Sequence, residues 1–254
     1  MASAPHRLLM LDYDGTLAPH RARRDDAPPE PGARSRLAAL SRRAGTTVAV
    51  VSGRRPADLD ALLGDLAIHW VGEHGWDERF ADGRRVAHPI PASAARGLAA
   101  AFARAGALVP AGHLERKRAS IVLHTRGLRP EAARAAERAC RQAWRPLLRP
   151  AGLRLDVTSG GLELRAAGHD KGHVARALSA RLPEGTLPVF VGDDRSDEDA
   201  FAAVARRGVA IRVGRAGRRS RARLRLASTR SVIRFLDRWL ALPIEARRTP
   251  ARTR

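Results

Sequence analysis

The chain has 254 residues, 44% of them apolar and only 4% aromatic, with a formal net charge of +21. That length suffices for one large domain or for a core with an insert. No apolar run approaches the ~20 residues of a membrane helix, and a single cysteine, Cys140, excludes an intramolecular disulfide and gives no sign of a cysteine metal site.

The first element predicted is a buried parallel strand over Arg7–Tyr13, apolar at its centre. The apolar patch before Asp12 is too short for the apolar region of a signal peptide, so a cytoplasmic protein is expected; a monomer is expected as well. A helix over Ala33–Arg43 follows, then a strand over Thr46–Gly53, a helix over Pro56–Leu63 and a strand over Ile68–Gly75. From His88 to Ala166 the pattern changes. It reads as a helix (Ala92–Ala105), a strand (Ala119–Thr125), a helix (Pro130–Leu148) and two short strands, LRLDV and LELR. The first pattern then resumes with a helix (Lys171–Arg181), a strand (Leu187–Asp194), a helix (Asp197–Arg206), a strand (Gly208–Gly214) and a helix (Ser231–Leu240). Strands alternating with helices predict an α/β fold with a parallel sheet. The organisation expected is therefore a core of residues 1–87 and 167–242, an inserted α+β domain over 88–166, and a disordered basic tail over 243–254.

The basic charge is almost all arginine, spread among alanine, glycine and proline, which reads as compositional bias. With few aromatics to stack on bases, no specific nucleic-acid partner and no membrane partner is expected. Lys117 and Lys171 are the only lysines. Lysine is a compact point charge on a flexible stem, unlike the planar fork of arginine, so their retention points to a chemical reason.

Ligands of parallel α/β sheets bind at the carboxyl ends of strands, and four motifs gather there. In DYDGTL, Asp12 and Asp14 straddle a strand end. One carboxylate can attack phosphorus, a second can carry the leaving-group proton, and both add charge for Mg2+, a cation that prefers oxygen ligands. The plainer account is an Asx turn after a strand. In VSGR, Ser52 and Gly53 can present O–H and N–H groups to a phosphate, and Arg54 can add a fork of donors; an ordinary strand-to-helix turn explains the same residues. In DKGHVARAL, Lys171 opens a helix, where it could neutralise phosphate and Asp12 together or simply be solvated. In VGDDRSDEDAF, five acids fall between Asp193 and Asp199. Helix capping accounts for Asp197 onward, whereas Asp193 and Asp194 at a strand end are better explained by a bound cation.

In this order the four motifs resemble the haloacid dehalogenase superfamily. The resemblance implies a Rossmann-like parallel-sheet core with an inserted α+β cap, Asp12 as nucleophile, Asp14 as acid/base, and Ser52 and Lys171 as phosphate binders. It also implies Asp12, Asp14 and Asp193 as Mg2+ ligands, with Asp194 and Asp197 in support. GEHG (72–75), LERKRASIVLHTR (114–126), LELR before DKG, and GDDRSDEDAF look more narrowly like trehalose-6-phosphate phosphatases. That likeness implies Glu115, Lys117, Arg126 and Glu163 as holders of the sugar hydroxyls. Ser159 and Ala166 depart from the family pattern, which commonly has lysine and proline there. The function expected is Mg2+-dependent hydrolysis of trehalose 6-phosphate. The alternatives are another sugar phosphate, such as sucrose phosphate or glucosylglycerol phosphate, and a basic nucleic-acid-binding protein on a degenerate fold of this kind.

Overall fold

Every residue of the first strand, β1 (Arg7–Leu11), is buried, because both faces of the sheet are covered. Side chains alternate along a strand. Leu9 and Leu11 therefore enter one apolar cluster, and Leu8 and Met10 enter another on the opposite face. The computed structural model describes residues 4–21, 27–158, 160–215, 217 and 219–243. Ser159 and the expected tail beyond Pro243 lie outside them.

The chain continues through α1 (Ala33–Ser41), β2 (Thr46–Val51), α2 (Pro56–Leu63), β3 (His69–Gly72) and the short strands β4 (Asp77–Arg79) and β5 (Arg85–Ala87). Next come α3 (Ala92–Gly106), β6 (Leu114–Arg116), β7 (Ser120–His124), α4 (Pro130–Trp144), β8 (Leu153–Thr158) and β9 (Gly161–Ala166). The last group is α5 (Lys171–Ala180), β10 (Leu187–Gly192), α6 (Glu198–Val204), β11 (Val209–Val213), β12 (Leu224–Leu226) and α7 (Thr229–Ala241).

The larger sheet has the order β12-β11-β10-β1-β2-β3-β4-β5. It is parallel from β12 to β3, and β4 and β5 extend it as antiparallel strands. Leu37 and Leu40 of α1, Leu59 and Leu63 of α2, and Val232, Leu236 and Trp239 of α7 cover the Leu9 face. Val174 and Leu178 of α5 with Phe201 and Val204 of α6 cover the other face, where Phe201 meets Phe190 edge to face at 5.9 Å. Each such side chain removed from water contributes about 1.5–3 kcal/mol. No helix among the described residues is long and apolar enough to cross a membrane.

The second sheet, β6-β7-β9-β8, is antiparallel throughout. Ile121, Leu123, Leu162 and Leu164 on one face pack with Leu98 and Ala101 of α3 and Cys140 and Trp144 of α4. The fit is close: a Cβ on Gly97 would stand 2.3 Å from that of Ala151. The intervening positions form a row in register, Glu115–Val122–Glu163, on the face turned to the larger sheet. We call this layer the cap.

The strand predicted over Ile68–Gly75 stops at Gly72. Glu73 and His74 adopt left-handed backbone, with φ of 44° and 59°, in a one-turn 3-10 segment. The Glu73 N–H donates to Arg54 O and the His74 N–H to Ser52 O, which holds the turn against the end of β2. The helix predicted to run to Leu148 leaves α geometry at Trp144, just before Pro146 removes a donor.

Candidate active site

Strands β3, β2, β1 and β10 lie side by side, and the residues just past their carboxyl ends are Glu73, Ser52, Asp12 and Asp193. Ser52, Asp12 and Asp193, with the start of α5 and the cap row, border a cleft of about 650 Å3. Asp12 is only 4% exposed. Its Oδ1 accepts from Lys171 Nζ at 2.6 Å, and the same ammonium donates to Asp197 Oδ1 at 2.6 Å. Lys171 is the first residue of α5, and the N-cap Asp170 accepts from His173 N–H at 2.7 Å. That cap decides where the helix begins, and so where the lysine enters the site.

Asp197 is fully buried with both oxygens committed, since Oδ2 accepts the backbone N–H groups of Asp193 at 2.8 Å and Asp194 at 2.9 Å. Burial pushes the Asp12 carboxyl well above its ordinary range; the Lys171 ammonium pulls it down, and Asp197 and Asp193 push it up again. Burial alone would lower Lys171, but Asp12 and Asp197 outweigh it and keep the ammonium charged. Burial also raises Asp193, against the hydrogen bond from His20.

Asp12, Asp193 and Asp197 present oxygens within 4.8 Å of one another. Carboxylates this close repel unless a cation stands among them. Lys171 answers for Asp12 and Asp197. Asp193 Oδ1 is buried and has no hydrogen-bond partner among the described residues. A buried, uncommitted oxygen beside a second carboxylate fits a hard divalent cation. Gly15, at φ 79°, keeps this corner open: a Cβ there would lie 2.3 Å from Asp193 Oδ2.

Ser52 and Gly53 line the cleft as expected from their position at the end of β2. Arg54 does not. It is buried and grips Asp14 with a fork, Nε to Oδ2 at 2.9 Å and Nη2 to Oδ1 at 2.7 Å, the geometry that suits guanidinium and carboxylate best. Its neighbour Arg55 lines the cleft instead, pairing with Glu115 at 3.0 Å and donating to Arg116 O.

The four expected sugar holders divide. Glu115, Arg126 and Glu163 line the cleft. Lys117 is turned away from it. Its Nζ donates to Gly53 O at 2.7 Å and lies 3.5 Å from Glu163 Oε1, so the ammonium joins cap to core. Glu163 also accepts from Ser120 Oγ at 2.8 Å and meets His74 Nε2 at 2.9 Å. Burial would raise the Glu163 carboxyl, but His74 and Lys117 overcome this and hold it well below the ordinary range.

Sequence reasoning passed over five residues of this neighbourhood. Glu73 accepts the cap N–H groups of Ala119 at 2.7 Å and Arg118 at 3.3 Å. His74, His20, His124 and Arg55 line the cleft. Nothing local to the GEHG segment signals a turn whose contacts to the cap, from Glu73 to Arg118 and Ala119 and from His74 to Glu163, span 45 residues or more.

The model of the trehalose-phosphatase family matches residues 10–230. A bifunctional trehalose-6-phosphate synthase/phosphatase of Thermoproteus tenax is 34% identical over 84% of this chain, which spans 29% of that protein. A trehalose-phosphate phosphatase of Mycobacterium marinum is 34% identical over 83% of this chain and 55% of its own length. The C-terminal domain of a trehalose-6-phosphate phosphatase of C. albicans superposes with a TM-score of 0.82 over 94% of this chain and 93% of that chain, at 21% identity, a likeness of fold.

Proposed function

The chain belongs to the trehalose-phosphatase family, and from that premise we propose that it hydrolyses trehalose 6-phosphate to trehalose and inorganic phosphate through a phosphoaspartyl intermediate on Asp12. The observation that carries the reading is Asp12 itself. It is a buried carboxylate at a strand end, held 2.6 Å from the Lys171 ammonium and facing a cleft whose far wall bears Glu115, Arg126 and Glu163.

In this reading a carboxylate oxygen of Asp12 attacks phosphorus, the bond from phosphorus to the sugar oxygen breaks, and the leaving oxygen takes a proton from Asp14. Water then attacks the acyl phosphate. Asp14 receives the water's proton, phosphate departs, and Asp12 is restored. Arg54 orients Asp14 for both transfers, with one oxygen leaving the fork when the proton moves. Ser52 Oγ and the Gly53 N–H would hold phosphate oxygens, and Lys171 would offset charge on the transferring group.

Asp12 and Asp193 would hold Mg2+, with Asp14 two residues along the same turn; Asp194 and Asp197 support from behind, Asp197 through the backbone of Asp193 and Asp194. Bound there, the metal would screen the phosphate from the carboxylate that must approach it. Glu115, Arg126 and Glu163 would meet sugar hydroxyls with charged hydrogen bonds.

The test is phosphate release from a panel of trehalose 6-phosphate, sucrose phosphate, glucosylglycerol phosphate and p-nitrophenyl phosphate, with and without EDTA. Trehalose 6-phosphate should give the highest kcat/KM, and activity should vanish in EDTA and return with Mg2+. A preference for another sugar phosphate would refute the substrate, and full activity in chelator would refute the metal.

A further inference from the structure

His20 lies on the loop after β1, outside the four motifs, and touches both halves of the site. Its Nε2 is 2.8 Å from Asp193 Oδ2, and its Nδ1 is 3.1 Å from Arg126 Nη2 of the cap. Arg126 also donates to Arg21 O at 3.3 Å, so the guanidinium is seated on this loop by two contacts. A guanidinium only donates. Nδ1 must therefore be the accepting nitrogen, and the one ring proton of a neutral imidazole then sits on Nε2, where it donates to Asp193. The cap contact and the Asp193 contact demand the same tautomer, and each supports the other.

Asp193 is the carboxylate whose second oxygen, Oδ1, is buried without a partner among the described residues. A hydrogen bond to one oxygen of a ligating carboxylate orients the other. Gly15 leaves room for this arrangement and no more.

We propose that His20 is a positioning residue that couples Arg126 of the cap to Asp193 of the acidic cluster, so that seating the cap and ordering the cluster are one event. This rests on the phosphatase reading for its consequence in turnover, but not for the coupling itself. A sugar phosphate drawn in by the cap would then meet an Asp193 already held in place. With the cap lifted, the ring would lose its second anchor and Asp193 its orientation.

The experiment is a double-variant cycle on His20→Ala and Arg126→Ala, read by calorimetric Mg2+ affinity without substrate and by kcat for p-nitrophenyl phosphate. His20→Ala should weaken Mg2+ binding about tenfold or more, the effect of losing an outer partner of a metal ligand. Arg126→Ala should weaken it less. The double variant should be no worse than His20→Ala, since the second contact acts through the ring. His20→Gln, whose amide can still donate to Asp193, should recover most of the affinity. His20 is on an exposed loop, and unchanged thermal melting will show that the variants fold. Losses that multiply in the double variant, or an affinity within twofold of wild type in His20→Ala, would overturn the coupling. A wild-type protein that binds Mg2+ yet releases phosphate from no sugar phosphate would defeat the function instead and leave the calorimetric cycle to decide this point.

Discussion

Lys171 is buried between two carboxylates, 2.6 Å from each, and the geometry leaves no space for a planar fork in place of a point charge. Lys171→Arg should therefore lower kcat/KM by about a hundredfold or more, the loss expected when a donor aimed at developing charge is misplaced. Retention of most kcat/KM would show that charge alone suffices there. Asp12→Asn should lose turnover almost entirely while keeping its melting temperature within a few degrees, because the amide matches the carboxylate in size but is a poor nucleophile. Near-normal phosphate release by that variant would remove Asp12 from the chemistry. The acids and Lys171 were legible because they sit in compact motifs with strict spacing. His20 was not: it meets Asp193 across 173 residues of chain, and no spacing rule links positions so far apart. Arg54 was legible as a donor but not in its target, since a fork five atoms from the backbone can serve a phosphate or an aspartate equally.

At the level of elements, the strands that carry the site were readable because both faces are buried and their apolar runs are unbroken. Those that were missed, β4, β5, β6 and β12, are three residues each, too short for a period of two to emerge. They form by pairing at sheet edges, which is tertiary information. One buried carboxylate ties β4, the strand next to the β5 edge, down. Glu78 Oε1 accepts from Arg181 Nη1, just past α5, at 2.7 Å and meets His69 Nε2 of β3 at 3.1 Å. Burial would raise this carboxyl, but His69 and Arg181 outweigh it and hold it down at about 2, against an ordinary value of 4.5. A carboxyl depressed in the folded state stabilises above its unfolded value and loses that contribution as pH falls toward the folded one. Glu78→Gln should thus be less stable than wild type in urea at pH 7, and the gap should narrow steadily below about pH 4.5. A gap that stays constant from pH 7 to pH 3 would mean that packing, not charge, holds the edge.

Across the whole molecule, a set of polar contacts joins cap to core, and this decides which cap residues can be tested for sugar recognition. Lys117 Nζ reaches Gly53 O, Glu73 receives two cap N–H groups, Arg118 donates to Trp76 O, and His74 meets Glu163. Side chains of opposite charge were legible here as a Glu-x-Lys pair, but their division of labour was not. In β6 the side chain of Glu115 falls on the cleft row, while Lys117, past the strand end, turns to the core. Glu115→Ala removes a group that faces the cleft and has Arg55 and His124 as neighbours able to stay solvated. It should lower kcat/KM for trehalose 6-phosphate by about tenfold to a hundredfold, the worth of a charged hydrogen bond, and leave p-nitrophenyl phosphate within a fewfold, since that substrate has no sugar. Lys117→Ala is a different perturbation. It strips a buried ammonium from Glu163 and from the Gly53 carbonyl, and breaking a buried pair destabilises by about 3–5 kcal/mol. The cap would then sit less firmly over the cleft, and Gly53, which lines the cleft, would lose its anchor. Both substrates should suffer, the small one included. The ratio of the two kcat/KM values therefore separates the roles: it should shift strongly in Glu115→Ala and little in Lys117→Ala. A selective loss of sugar phosphate turnover in Lys117→Ala would place its ammonium on the substrate after all, and would mean that the cap moves away from the arrangement described here when sugar binds.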